Sequence, residues 1–519
     1  MKARRWLVAG LLLALLLQGL FHVYALHTDG DSDGAHLHHG WLVLRGELNL
    51  YGDSHTGHRT PLAYWWIGLS QLLYGPSLVA GRLVSLAAGL AGVVILWRAA
   101  HVALGARSGL IALCLMATQA YVLSHFAIAA FAGLAFFWVA GFVWFLLASE
   151  SPWRHAWMVL CLVGLVMTRP QFGGMLFIVA VWAVSLARGR ERWAVLVALL
   201  VPLGAFWLVF WPWKMLAYIP LTEGLAARWG YIPAVLVGDP DWTTRIGRAA
   251  VLILRSYKAW LALAVACWAI WPVGFPRLPE RARWAGWLFG TFALTQLLLT
   301  NVTWKVAVGY FPIFAFLAVI PLAARVEQCL AMKSARWATR IMPTVLALAL
   351  LAGPLWSPPP GLPASVDSRN PPAIQMQRAA RELRRMIPEG TPVFLFGPAT
   401  VLHEAGLRPP IQPSNHLETL QGGCGPEHDV IRRSGLWCAS DISFWLESFT
   451  LPATENLPEI TLPAYPWAIL WRDGLVARVE PYSWQAPAAQ MLALLDRFYA
   501  YQATVAYHGI RLEVWRRKA

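Results

Sequence analysis

Charge is scarce in this sequence. Of 519 residues only 13% are Asp, Glu, Lys or Arg, against about 25% in a soluble domain. With 58% of the residues hydrophobic, that scarcity excludes a wholly soluble chain. Acidic residues are the rarer kind, 27 against 42 basic ones, for a formal net charge of +15. Such an excess first suggests nucleic acid. The basic residues form no single patch, however; they fall in short groups between apolar blocks, so nucleic-acid binding is not expected. There is no G-x-x-x-x-G-K-[ST] loop to cradle ATP, and no internal repeat of the transporter kind. Cysteine is rare as well, six in all. Cys114, Cys161, Cys267 and Cys329 lie in or beside apolar runs, where cysteine serves as a small apolar side chain.

What is abundant is apolar length. Blocks of about 17–25 residues suit a hydrocarbon layer about 30 Å thick. Candidate spans are 6–26, 79–100, 107–125, 127–148, 155–168, 171–187, 193–213, 248–272, 284–300, 306–324 and 337–356. The expected fold is therefore mostly α: a polytopic bundle of about 11 spans within residues 1–356. The basic N-terminus followed by an apolar run also fits a cleaved signal peptide. A first span is the better reading, because the run is long and no small-x-small cleavage site follows. With a cytoplasmic N-terminus, Lys2/Arg4/Arg5, Arg98/Arg107, Arg154, Arg188/Arg190/Arg192, Arg277/Arg281/Arg283 and Arg325/Lys333/Arg336/Arg340 all fall inside, as the positive-inside rule asks. Residues 27–66, 214–247 and everything after Trp356 then fall outside. Pro61–Gly75 is too short to span and, with Tyr64, Trp65 and Trp66, suits a helix lying in the interface. Part of 214–247 is amphipathic in the same way.

After Trp356 the composition changes. Residues 357–369 read as a proline-rich linker, SPPPGLP at its start. Residues 370–519 read as an extracytoplasmic α/β domain. Helices are expected at Gln375–Met386 and Ala486–Tyr501, and strands at Pro392–Phe396, Trp467–Trp471 and Ile510–Trp515. An oxidising compartment favours a disulfide between Cys424 and Cys438.

The densest polar stretch of the first third is His27–Trp66. It holds Asp29, Asp31, Asp33 and Asp53 together with His27, His36, His38, His39, His55 and His58. Carboxylates at a membrane surface can deprotonate an acceptor or hold a metal ion, and Asp31 and Asp33 are the candidates. Either one equally suits a helix N-cap before the amphipathic run His36–Leu44. A divalent metal site would draw on Asp31, Asp33 and His36, although the histidine spacing matches no defined zinc pattern. Arg59, Arg169, Lys214 and Lys305 all fall on the outer side, where the positive-inside rule does not call for them. Cations there suit a phosphate group; headgroup contact by snorkelling is the plainer reading.

These residues also carry a resemblance. Asp31, Gly46 fifteen residues on, Tyr51 and Arg59-Thr60-Pro61-Leu62-Ala63-Tyr64-Trp65 resemble the first outer loop of GT-C glycosyltransferases, the group of protein O-mannosyltransferases and the lipid A aminoarabinose transferase. Gly75 followed by Arg82, Leu83 and Ser85, then VGLVMTRPQFGGMLF and WKVAVGYFPIFAFLAVI, resemble later segments of that family. The resemblance covers roughly residues 6–325. It implies a polyprenyl-phosphate sugar as donor and a lipid, glycan or protein as acceptor, on the outer face of a bacterial cytoplasmic membrane. It makes Asp31 the base of an inverting displacement and sets Arg59 against the donor phosphate. A second acid that the family often carries near the fourth span has no counterpart in Ser124–Phe137. A flippase for a lipid-linked saccharide, or an inactive relative with an assembly role, are the alternatives.

Overall fold

The computed structural model describes residues 2–25, 32–47, 61–169 apart from 152, 257–269, 277–299, 311–331, 373–407 apart from 397 and 398, 465–470, 495–507 and 510–518, with isolated positions between 172 and 254. The chain forms two compact units. Unit 1 comprises Met1–Val23, Ser85–Ala127 and Phe131–Pro360, and unit 2 comprises Tyr24–Val84, Ile128–Ala130 and Gly361–Ala519. The helices along the chain are α1 (Lys2–Ala25), α2 (Ser32–Leu44), α3 (Pro61–Tyr74), α4 (Leu78–Leu104), α5 (Ala106–Ala117), α6 (Ala120–Phe126), α7 (Ala132–Leu147), α8 (Arg154–Thr168), α9 (Lys258–Ala269), α10 (Glu280–Leu299), α11 (Phe311–Ala331, with one 3₁₀ turn at Phe316–Ala318), α12 (Ala373–Met386) and α13 (Ala399–Ala405).

Unit 1 is helical. Among the described residues, α1, α4 and α11 are long and apolar enough to cross a membrane, and the bent pair α5–α6 makes a fourth if counted as one span. They correspond to the spans expected at 6–26, 79–100, 306–324 and 107–125. The last was expected as one straight helix, yet it is broken by 74°. The cause is Thr118. Its hydroxyl donates to the Leu115 carbonyl at 2.7 Å, and the Trp260 indole N–H, from α9, donates to the Thr118 Oγ1 at 3.2 Å and to the same carbonyl at 3.3 Å. Side chains inserted into the backbone ladder end the helix there. α7 and α8 are apolar but shorter, 16 and 15 residues. The expected spans 171–187 and 337–356, and most of 193–213, lie outside the described residues, as does the amphipathic segment in 214–247.

Some of the segments that carry the basic groups meet one another in unit 1. Arg4 donates to the Ala106 carbonyl at 2.7 Å and lies 3.2 Å from His101 Nδ1. Ser108 donates to the Glu327 carboxylate, and Gln328 donates to the Arg277 carbonyl at 3.3 Å. The interior of the unit is aromatic. Phe126 and Phe136 stack with centroids 4.9 Å apart, and both meet Phe316 edge-on. Gly89 and Gly92 of α4 leave room for these rings; a Cβ on either would meet Phe126 or Phe136.

Unit 2 combines α2, α3 and the start of α4 with an α/β part. Its four strands are β1 (Val393–Phe396), β2 (Trp467–Leu470), β3 (Tyr499–Tyr507) and β4 (Ile510–Arg517), in the order β1-β2-β4-β3. β1 and β2 are parallel and the other pairs antiparallel. α12 brings Met376, Ala379, Ala380 and Leu383 onto Ile469, Leu512 and Val514 of the sheet, and α13 adds Val401, Leu402 and Ala405. The strands expected at 392–396, 467–471 and 510–515 are there. The helix expected over Ala486–Tyr501 is wrong at its end: Tyr499 opens a nine-residue strand. Tyr499 and Val505 are buried and the run pairs with β4 from Tyr499 to Tyr507, so pairing wins over the helical reading.

Candidate active site

The geometry of α2 and α3 in unit 2 explains why their sequence reads as it does. α2 ends at Gly46, whose φ of +71° is a backbone setting that glycine adopts freely. Gly46 N–H donates to the Val43 carbonyl at 3.1 Å and Glu47 N–H to the Leu42 carbonyl at 2.9 Å, the two bonds of a Schellman cap. The Gly46 of the sequence motif is thus the residue that stops α2. α3 starts on Pro61, where a missing N–H costs nothing. The two helices cross with their backbones in contact: a Cβ on Gly68 would run into the Gly40 carbonyl, and one on Gly40 into the Tyr64 carbonyl. His36 of α2 stacks on Tyr64 of α3, centroids 4.9 Å apart at 14°, and His39 lies 6.0 Å from the same ring. Leu37, Ile67, Leu78 and Ala129 close a small core behind them. The opposite side of α3 leaves Trp65, Leu69, Leu72 and Leu73 exposed, an apolar face suited to lipid.

A polar cluster lies at the other end of this helix pair. Gln71 accepts from the Ser77 N–H at 2.7 Å through Oε1, which fixes that atom as an acceptor. His403 Nε2, 2.8 Å from the same oxygen, must therefore carry the proton and donate. Gln71 Nε2 donates to Ser70 Oγ at 2.7 Å, and Ser70 donates on to the Ile67 carbonyl at 2.6 Å. Next to His403, Glu404 accepts the N–H of Leu78, the first residue of α4. Ser77 caps the same helix, its Oγ accepting from Ala80 N–H at 3.3 Å. A carboxylate at this helix start also meets the positive end of the macrodipole. Arg82, one turn further along α4, is fully buried. A buried guanidinium needs an opposite charge, and its charge is among those that act on the Glu404 carboxyl. Burial holds the Glu404 carboxyl above its usual range, against the Leu78 and Gln377 hydrogen bonds and the charges of Arg384 and Arg82.

His38 packs between Trp41, at 6.1 Å, and His403, at 5.7 Å. Burial pushes the His38 imidazole down to about 3, and burial, then His38 and Arg384, holds His403 well below 6.5. Both rings are neutral at pH 7. Because the unfolded rings titrate at 6.5, this contribution to stability is complete above 6.5 and is lost as the pH falls toward the folded values. At about 1.4 kcal/mol per pH unit, acidifying from pH 7 to 5.5 costs roughly 1 kcal/mol through His38, and His403 acts in the same direction. Glu404 acts oppositely: its raised value removes stability as the pH climbs above 4.5. Neither His38 nitrogen has a hydrogen-bond partner among the described residues. His38→Leu is therefore expected to abolish about half the acid loss without weakening the fold at pH 7, measured by thermal unfolding across pH.

The residues expected from the sequence fare unevenly. Asp31, Arg59, Lys214, Lys305, Cys424 and Cys438 lie outside the described residues. Asp33 is in the first turn of α2, a helix that begins at Ser32 and so earlier than the expected His36–Leu44; its side chain lies outside the described set. His36 is turned onto Tyr64, and among the described residues no three His, Cys, Asp or Glu side chains gather as metal ligands would. Arg169 belongs to unit 1. It follows α8 in extended backbone and lies over the Phe131 ring at 4.3 Å, between the end of α8 and the start of α7. Also in unit 1, an apolar cavity of about 400 Å³ is walled by Tyr257, Trp260, Phe289, Phe311 and Leu322, with Arg325 in its lining. The sequence reading missed Gln71, His403 and Glu404; only Arg82 carried a signal, as the arginine of the Gly75–Ser85 pattern.

No family model matches the chain, and no curated protein is similar to it in sequence. Solved structures do match. ArnT from Cupriavidus metallidurans in the apo state superposes with a TM-score of 0.56 at 13% identity, over 99% of this chain and 98% of that one. The same protein bound to undecaprenyl phosphate gives 0.54 at 13%, over 98% and 97%. The apo oligosaccharyltransferase of Archaeoglobus fulgidus gives 0.50 at 10%, over 95% of this chain and 73% of that one. At such identities a likeness speaks for architecture alone: this membrane protein shares the fold of ArnT and of the archaeal oligosaccharyltransferase, the architecture that its resemblance to GT-C glycosyltransferases led one to expect.

Proposed function

We propose that the protein is a membrane glycosyltransferase that moves a sugar from a polyprenyl-phosphate donor to a lipid, glycan or protein acceptor, with inversion. One observation carries this reading: the likeness, over nearly the whole of both chains, to a structure bound to undecaprenyl phosphate. The acceptor hydroxyl or amine attacks the anomeric carbon in line. Its proton passes to the Asp31 carboxylate, the bond from that carbon to the phosphate oxygen breaks, and the electron pair leaves with the polyprenyl phosphate. Arg59 would balance the charge that grows on that phosphate, and Arg169, Lys214 and Lys305 would serve the same anion. The apolar cavity of unit 1 suits a stretch of the lipid chain. With the basic groups cytoplasmic under the positive-inside rule, the first loop and the C-terminal α/β domain fall on the outer side of the membrane. Asp33 stands next to Asp31 as the second acid, and a Cys424–Cys438 disulfide fits that compartment.

A flippase is the second reading, favoured by the broken pair α5–α6, since transporters build sites from broken helices. Proteoliposomes separate the two. Carrying labelled polyprenyl-phosphate sugars and envelope lipid acceptors, they are expected to show the label leaving the carrier. Label crossing the bilayer while still on its carrier would sink the transferase reading. Mass spectrometry of envelope glycolipids with and without the gene then identifies the acceptor by the sugar it lacks.

A further inference from the structure

Two consecutive residues of α13 touch all three helices of the first outer region. His403 donates to Gln71 of α3 at 2.8 Å, and its ring meets His38 and Trp41 of α2 at 5.7 and 5.6 Å. Glu404 takes the first N–H of α4. His403 is fully buried and Glu404 nearly so, each with its hydrogen bond made inside the protein. α13 is itself fixed to the rest of the α/β part, because Arg384 of α12 donates to the Glu404 carbonyl and Val401, Leu402 and Ala405 lie in the sheet core. The opposite ends of the clamped helices are the ones that matter for transfer. α2 begins directly after Asp31 and carries Asp33 in its first turn, and α3 begins two residues after Arg59.

We propose that α13 is a clamp through which the α/β part positions the donor loop: His403 and Glu404 hold α2, α3 and α4 in one register, and with them the segments bearing Asp31, Asp33 and Arg59. The two act through other residues, so they are positioning residues and not catalytic ones. The clamp is a geometric claim about unit 2; its effect on transfer rests on the glycosyl-transfer reading above.

The test uses the full chain in lipid nanodiscs with a cysteine introduced at a buried position of α3, Ala63→Cys. Its labelling by a membrane-impermeant maleimide is read over the unlabelled parent. Binding of undecaprenyl phosphate is measured in parallel. His403→Ala is expected to speed labelling about tenfold and to weaken undecaprenyl phosphate binding several-fold. His403→Gln, whose amide places a donor near the position of Nε2, is expected to restore both; simple misfolding would not be rescued this way. Gln71→Ala is expected to speed labelling as well, and the double variant to fall short of the sum of the two, because the His403–Gln71 bond is lost in all three. Unchanged labelling in His403→Ala overturns the clamp, as does failure of His403→Gln to restore it, or full additivity with Gln71→Ala. If labelling responds as expected in a chain that binds no undecaprenyl phosphate, the donor reading falls and the clamp stands.

Discussion

Asp31→Asn is expected to reduce transfer by a factor of about 10²–10⁴, the usual contribution of a positioned general base. The change keeps the shape of the side chain and removes only its capacity to take a proton. The loss should therefore fall on turnover, with donor affinity little altered, because the proton moves only in the transition state. Asp33→Asn sorts the two acids. A smaller loss there leaves Asp31 as the base and Asp33 in support, whereas a larger loss exchanges their roles. The measurement is initial rate against donor concentration in proteoliposomes. Asp31→Asn with the activity of the parent would remove Asp31 from the mechanism altogether.

The second large effect concerns folding. Gly40→Ala and Gly68→Ala each place a methyl group into the backbone of the facing helix. Overpacking costs about 1–3 kcal/mol where side chains can yield. Here the obstacle is a carbonyl oxygen held in a helix, so each substitution is expected at or above the upper end. Both act on the same crossing, so the double variant should fall well short of the sum. Lower thermal unfolding temperatures in detergent, with a non-additive double variant, are the expected result. A Gly68→Ala chain as stable as the parent would mean that α2 and α3 do not cross at these residues. Gly46→Ala should be milder, since no atom of the described residues would meet a Cβ there and the left-handed φ is what resists a side chain.

What could be read from the sequence depended on how local its cause was. α1 and α4 were visible because apolar length alone decides them. β1 and β2 were visible as short apolar runs, VFLF and WAIL, and β4 through the alternation of Ile510–Val514. The break at Thr118 was hidden: threonine within an apolar run looks like any other residue until Trp260 reaches it. Tyr499–Tyr501 was assigned to the preceding helix because the strand it joins is defined by its partner β4. Gly46 was recognised only as a spacing marker, and its left-handed backbone supplies the physical reason for that spacing. The histidines drew attention as possible metal ligands. Those described do other work, His36 as a flat partner for Tyr64 and His38 as a neutral ring beside Trp41. His403 and Gln71 are 332 residues apart, and no periodicity or motif connects them.

That separation has a consequence for biosynthesis. At about 5–20 residues per second, a ribosome needs roughly 15–70 s to go from Gln71 to His403. Through that interval α2, α3 and the first turn of α4 have been made, while the residues that complete their hydrogen bonds have not. Until then Gln71 has only its local bonds to Ser70 and Ser77, the Leu78 N–H lacks the Glu404 carboxylate, and the hairpin rests on its Gly40–Gly68 crossing and the His36–Tyr64 stack. Contacts so distant along the chain form slowly, so the nascent first loop is the natural client for a chaperone and the natural target for a protease.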